Sequence, residues 1–399
     1  MTHTLPLTDQ LSQRAKNLRA QRGWGAMEKT SFIYGFPAPD CLPNAEVQRA
    51  TEIALQTHGE WPLQYSGAPG NNGLRDILAQ KLARDQGIHA TRDNLLITVG
   101  SSQALALVCD LLLDPGDVVL SEAPTFLGAV KLMKNLGVNI AGVPLDENGV
   151  RVDELEKILK DLRAQGKKPK FFYVIPNFQN PTGVTTTLER RKRIVELAHE
   201  YDFAIFEDDA YYDLRFSGEF LPPLYALDGG ERSFYIGTFS KILSPGMRLG
   251  WIVARPDLIA QLDQLKPDGN TSSFSTHVGW EFSKNGGLDK NIARVKAIYK
   301  RRHETMQDAL TEFMPEGVTW TQPQGGFFIW VTLPKTVDAG EMLKAVRARG
   351  VDYLPGEGCY FDGTGKNELR LSFSYAPEDK IAEGIQMIAE EIRRAQRPS

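Results

Sequence analysis

From residue 94 to residue 209 the chain alternates short apolar runs with amphipathic stretches, and no other feature constrains its fold as strongly. NLLITV, DVVLSE, NIAGVPL, KFFYVIP and FAIFEDD read as strands. Between them SSQALALVCDLLL, FLGAVKLMKNLG, VDELEKILKDLRAQG and LERRKRIVELAHEYD read as helices. Strands that are apolar along their whole length have no face to offer water. Their alternation with helices therefore predicts an α/β fold with a mostly parallel sheet between helices. An earlier helix is expected from Asn44 to His58, with Asn44 as its cap. Beyond Phe282 a long helix should leave the sheet and lead to a smaller α+β domain, with strands near residues 325–333 and 368–374 and a terminal amphipathic helix. The expected division is an N-terminal segment, 1–45, packing with the small domain and the active site; a large domain, 46–285; and a small C-terminal domain, 286–399.

Charge excludes several function classes. With 46 Lys and Arg against 50 Asp and Glu, the net charge of −4 gives no reason to expect nucleic acid or an anionic membrane as partner. Cys41, Cys109 and Cys359 are widely spaced, and the six histidines show no zinc-type pairing. No metal site is expected, and sparse thiols suggest a reducing, cytoplasmic setting. The polar start MTHTLPLTDQ lacks the apolar stretch of a signal peptide, and no apolar run reaches membrane-spanning length.

In parallel sheets ligands collect beyond the carboxyl ends of the strands, and the unusual residues of this chain lie there repeatedly. After NLLITV comes Gly100-Ser101-Ser102-Gln103 at a helix start, either a serine cap or an anion site built from free N–H groups and the helix dipole. After DVVLSE comes Phe126, which by itself reads as core. After KFFYVIP comes Asn180-Pro181-Thr182-Gly183, a turn by its chemistry. FAIF ends in Glu207, Asp208 and Asp209, three carboxylates that are costly there unless one finds a cationic partner. Finally TFSKILSPGMRLGW places Thr238, Ser240, Lys241 and Arg248 in a loop between two β-prone runs. A phosphate site, a stacking aromatic, an asparagine, an acid and a lysine at neighbouring strand ends match the needs of pyridoxal 5′-phosphate: a Schiff-base lysine, an acid for the pyridine nitrogen and a phosphate cradle.

The chain also resembles a known family. YSGAPGNNGLR, GSSQAL, IPNFQNPTGVT, EDDAYY, TFSKILSPGMRLGW, GGFFIWV and LRLSFSYAP, in that order, are similar to the motifs of fold-type-I pyridoxal-phosphate aminotransferases of class I/II, within the 2-aminoadipate/kynurenine and multi-substrate branch. The resemblance implies an aspartate-aminotransferase-like fold. It implies that Lys241 carries the Schiff base and shuttles the proton, and that Asp208 pairs with the pyridine nitrogen. Asn180 and Tyr211 would bond the phenolic oxygen, and Phe126 would stack on the ring. Thr238, Ser240, Arg248, Ser101 and Ser102 would hold the phosphate, joined by Tyr65 from a neighbouring subunit of a homodimer. Arg370 would clamp the substrate carboxylate, with Gly35 and Tyr34 in the segment closing over the substrate.

Three positions depart from the usual motifs. Tyr34 stands where the family commonly has glycine, Ser102 offers a shorter contact in the phosphate loop than the usual glutamine, and Phe126 replaces a tyrosine. The segment around Arg19 to Ala26, which shapes specificity in this branch, does not match closely. The implied activity is transfer of an amino group from an L-amino acid to a 2-oxo acid, 2-oxoglutarate or pyruvate, by a ping-pong mechanism. A lyase, decarboxylase or amino-acid oxidase on the same fold would carry the same motifs. A regulatory domain would need a DNA-binding module of roughly 70 residues before Tyr65, for which the sequence shows neither room nor a basic patch.

Overall fold

The computed structural model describes residues 7–17, 30–67, 69–266 and 271–396. The Arg19 to Ala26 stretch lies outside the described residues. The predicted strands assemble into one eight-stranded sheet. Its order is Leu95–Thr98, Gly250–Val253, Ser233–Thr238, Ala204–Asp208, Pro169–Val174, Val118–Ala123, Asn139–Asp146 and Gly149–Val150. The five strands from Ser233–Thr238 to Asn139–Asp146 run parallel to one another, whereas Gly250–Val253 is antiparallel to both of its partners and Gly149–Val150 to its one.

Pleat parity sorts the side chains. Phe171, Tyr173 and Phe206 enter the core on one face of the sheet, and Phe172, Val174 and Ile205 enter it on the other. Helices Gly100–Leu112 and Leu127–Leu136 cover the first face, and Val152–Ala164 and Leu188–Tyr201 cover the second. Each covering helix turns a stripe of leucine, isoleucine and valine inward, which is what fixes it to the sheet.

A long helix, Gly287–Phe313, follows, and beyond it lies an antiparallel sheet ordered Thr319–Trp320, Phe328–Thr332, Glu368–Ser372 and Leu354–Pro355. The terminal helix Glu378–Ala395 packs on the long one, burying Ile381, Ile385, Ile388 and Ile392. Near the N-terminus Thr30–Ser31 pairs in parallel with Val351–Asp352, and the Ser31 hydroxyl bonds Asp352 at 2.6 Å. This pairing draws the segment from Ile33 to Phe36 over the junction between the two sheets.

The helix expected from Asn44 spans Asn44–Thr57, but Asn44 is its first helical residue and Pro43 holds the cap position without a side-chain bond. Proline is tolerated there because its missing N–H would have been unpaired in any case. No helix among the described residues is long and apolar enough to cross a membrane.

Candidate active site

Thr98, Gly250 and Thr238 lie in register on three adjacent strands, so the loops that follow Thr98 and Thr238 converge with the one that leads into Gly250. Helix Gly100–Leu112 begins at this point; Val99 at the cap position offers no side-chain bond, and Gln103 Oε1 accepts the Val99 N–H at 2.8 Å. The first backbone N–H groups of the helix therefore face an open position with the positive end of the helix dipole behind them. Gly250 approaches so closely that an added Cβ would lie 2.6 Å from the Gly100 carbonyl carbon and 2.8 Å from the Ser101 nitrogen. Ser101 is half-buried and Ser102 exposed. Thr238 and Ser240 are buried and bond each other at 2.9 Å through their hydroxyls. Arg248 adopts the left-handed region at φ 52°, and its exposed guanidinium donates to the Val99 carbonyl at 3.1 Å. A non-glycine residue held there stores about 1–3 kcal/mol of strain, which the surrounding fold supports.

Strand Ala204–Asp208 separates the three acids that the sequence places together. Glu207 and Asp209 share the face opposite Asp208. Glu207 accepts the Leu224 and Tyr225 N–H groups at 3.0 and 2.8 Å, and Asp209 accepts from the Asn177 amide at 3.0 Å. The cationic partner expected for this cluster is the fully buried Arg191. It acts through its field and not by direct pairing: its guanidinium donates to the Thr186, Pro176 and Pro222 carbonyls and to Asn177 Oδ1. Asp208 points the other way. Its Oδ2 accepts the Tyr173 hydroxyl at 2.7 Å, while Oδ1 is buried with no partner. Burial pushes the Asp208 carboxyl up to about 6, opposed by Tyr173 and by the charge of Lys241.

Lys241 Nζ donates to the Gly35 carbonyl at 2.8 Å and lies 5.7 Å from the centre of the Phe327 ring. Burial lowers its ammonium to about 8. Arg370 adds more to this effect than Arg248 does, and Asp208 opposes it. Arg370 is buried on strand Glu368–Ser372, stacked 4.1 Å over the Phe328 ring. Its Nη1 donates to Asn180 Oδ1 at 2.8 Å and its Nη2 to the Ile33 carbonyl at 2.5 Å, while Nε is buried without a partner. Tyr211 is buried against Phe327 and Phe328; burial raises its phenol, and Arg370 and Asn180 nearby oppose the rise. Gly35 lies so close to Phe328 that an added Cβ would meet the ring at 2.6 Å. Tyr34 stacks on Phe36 at 5.0 Å and meets Tyr375 edge-on at 6.0 Å.

The fold therefore gathers Lys241, Asp208, Asn180, Tyr211, Arg370, Gly35 and Tyr34 around one centre, with Thr238, Ser240, Arg248 and Ser101 beside it. Phe126 sits half-buried at the cap of helix Leu127–Leu136. Tyr65 is on the surface, 88% exposed. Tyr173 went unread in the sequence, as did the backbone carbonyls of Ile33 and Gly35. The available signal for Tyr173 was parity: it pairs with Phe206, two residues before Asp208 on the same face. No group of three or more His, Cys, Asp or Glu is placed to hold a metal among the described residues.

Pyridoxal phosphate fits this centre on three observations. The orphaned Asp208 Oδ1 suits a protonated ring nitrogen, the uncapped helix start behind Gly250 suits a phosphate, and the depressed amine of Lys241 suits an aldehyde.

Comparison with known proteins places the chain in a family. The sequence profile of the family "Aminotransferase class I and II" matches residues 40–388. The chain is 44% identical over 365 residues to aromatic-amino-acid aminotransferase 1 of Thermococcus litoralis, covering 91% of this chain and 88% of that protein. It is 36% identical to the 2-aminoadipate transaminase of Thermus thermophilus, covering 91% and 90%. The crystal structure of Pyrococcus horikoshii kynurenine aminotransferase in complex with PMP superposes with a TM-score of 0.94 at 40% identity, covering 98% of this chain and 99% of that one.

Proposed function

Because the chain belongs to the class I and II aminotransferases, fold-type-I enzymes that use pyridoxal phosphate to transfer an amino group, we propose that its donors are L-amino acids with large, chiefly aromatic side chains and its acceptor is 2-oxoglutarate or pyruvate. The observation that carries this reading is the cluster of Tyr34, Phe36 and Tyr375 rings around the segment whose Ile33 and Gly35 carbonyls meet Arg370 and Lys241, in a chain whose relatives include aromatic and kynurenine aminotransferases. Stacked and edge-on rings of this kind favour a flat apolar side chain over a charged one.

The proposed roles are these. Arg370 offers its fork to the α-carboxylate of the substrate, which displaces the Ile33 carbonyl from Nη2. Ser101, Ser102, Thr238, Ser240 and Arg248 would hold the phosphate, Phe126 the ring face, and Asn180 with Tyr211 the phenolic oxygen. Asp208 Oδ1 would face the ring nitrogen. The bound cofactor supplies an electron sink for the pair left when the substrate α-carbon loses its proton. Lys241 Nζ removes that proton and later returns it, which requires the neutral amine that burial favours. Ile33 to Phe36 exclude water from this exchange. Donor and acceptor use one site in turn, which gives ping-pong kinetics.

Tyr65 stands with Trp61 and Leu63 on one exposed segment, at 88%, 58% and 75% exposure. That surface suits a second copy of the chain, with Tyr65 reaching the partner's phosphate site in a homodimer. Residues 46–285 are read as the cofactor-binding domain and 286–399 as the small domain. Three free, buried cysteines support a cytoplasmic setting. The test is a half-reaction panel: loaded protein is mixed with single amino acids, and formation of the 2-oxo acid is followed. Aromatic donors should react fastest, and equal rates for aspartate would reject the substrate class.

A further inference from the structure

Glu122 ends strand Val118–Ala123 as a fully buried carboxyl with no ion pair among the described residues. Such a group persists only where hydrogen bonds replace water. Its Oε2 accepts the Ile175 backbone N–H at 3.0 Å and the Gln179 side-chain amide at 3.1 Å. Its Oε1 is buried with no partner. Gln179 extends the network on both sides. Its Nε2 also donates to the Pro124 carbonyl at 2.8 Å, and its Oε1 accepts the Thr182 N–H at 2.9 Å and the Thr182 hydroxyl at 2.7 Å.

These bonds cross between two loops with different tasks. Pro124 leads directly into Phe126, and Gln179 precedes Asn180. The strands feeding the loops are parallel neighbours, so their carboxyl ends lie side by side with nothing covalent between them. The second loop also contains Phe178 in the left-handed region at φ 49°, a conformation a bulky residue does not hold without support.

We propose that Glu122 is a positioning residue of the cofactor site: acting through Gln179, it clasps the loop of Phe126 to the turn of Asn180 and so sets the spacing between the ring-stacking and phenolic-oxygen contacts. The inference rests on the pyridoxal phosphate site described above and concerns residues that touch none of the reacting atoms. The carboxyl does this work uncharged: burial raises it to about 8, and Asp208 pushes in the same direction. An uncharged Glu122 leaves the nearby negative charge to Asp208, where a cationic ring nitrogen calls for it. Displacement of a positioned group by a fraction of an ångström is costly in such sites.

The experiment uses the full chain loaded with pyridoxal phosphate and compares Glu122→Ala, Glu122→Gln and Gln179→Ala. Visible circular dichroism reads the tilt of the bound ring, and titration reads cofactor affinity. Glu122→Ala should lose most of the induced signal and weaken cofactor binding about tenfold, the scale of one lost buried hydrogen bond. Glu122→Gln, which keeps the acceptor oxygen without a charge, should rescue both readouts to within about twofold of wild type. Gln179→Ala should resemble Glu122→Ala, and it carries the test if Glu122→Ala does not fold. Wild-type dichroism and affinity in both alanine variants, with only a lower melting temperature, would reduce Glu122 to packing and overturn the proposal. A Glu122→Gln protein as impaired as Gln179→Ala would overturn it too, because an ionised carboxylate would then be required. A wild-type protein with no cofactor band would overturn the site reading itself, and the proposal with it.

Discussion

The Tyr173 hydroxyl donates a 2.7 Å hydrogen bond to Asp208 Oδ2, and the other oxygen of Asp208 is buried with no partner. One oxygen is thus held by the protein and the other is presented to the site. This hydrogen bond favours the ionised form of Asp208 and so opposes the effect of burial. Tyr173→Phe should raise the Asp208 carboxyl further and lower kcat by about one order of magnitude, as expected for loss of a bond worth about 1.5 kcal/mol. Steady-state kinetics across pH checks this, and an unchanged profile would separate Tyr173 from the chemistry.

Lys241→Ala should abolish transamination while leaving the melting temperature close to that of wild type. The lysine also sets a pH dependence. Its amine attacks an aldehyde only when neutral, and burial brings its titration down to about 8. Capture of pyridoxal phosphate by the apoprotein should therefore accelerate as pH rises toward 8 and level off above it. Stopped-flow absorbance measures the rate, and a midpoint near the ordinary lysine value of about 10.4 would mean that the amine is solvated.

Arg370→Ala should raise KM for every amino acid donor, by about two orders of magnitude if the bidentate contact is lost. Arg370→Lys should recover little, because a point charge cannot reproduce the fork that also reaches Asn180 and Ile33. A donor panel decides the matter: if only one side-chain class suffers, Arg370 reads the side chain instead.

Gly250→Ala tests the phosphate position without touching a charged group. The added methyl would lie 2.6 Å from a backbone carbon of Gly100, so the helix start must shift. Cofactor affinity should fall about tenfold or more, with a loss of stability of about 1–3 kcal/mol. Equilibrium dialysis and thermal melting report the two effects, and unchanged affinity would place the phosphate elsewhere.

Stability should carry the signature of Glu122. Its folded-state titration near 8 lies above the ordinary glutamate range, so between the two the unfolded chain releases its proton first. This group therefore costs stability progressively as pH rises through that window, and the cost is complete above pH 8. Glu122→Gln lacks this cost. Its melting temperature should match wild type near pH 5 and exceed it near pH 9, at about those values. Parallel melting curves would contradict the assignment.

Much of the site was legible because strand ends are legible. Lys241, Asp208 and Asn180 stand out as polar residues closing apolar runs, whereas Arg370 was named only through the resemblance to a known family. The helix Asn72–Gln86 was harder to read, since its inward face includes Arg75 and Lys81 among the leucines. Lys81 is buried between Asp85, one helical turn on, at 2.9 Å and Asp213, distant in sequence, at 2.6 Å. Periodicity cannot announce a charge neutralised by a partner that far along the chain.

The sequence by itself determined the layered α/β architecture, since continuous apolar strands must be covered on both faces, and it determined which residues end each strand. Strand order is another matter. It depends on which surfaces bury one another best, a property of the whole chain and not of any window within it. Only that order brings Tyr173 beside Asp208, ties Glu122 to Gln179, and lowers the carbonyls of Ile33 and Gly35 onto Arg370 and Lys241. The residues proposed for the chemistry could be named from the sequence, while the neighbours that surround them are assigned by the tertiary structure alone.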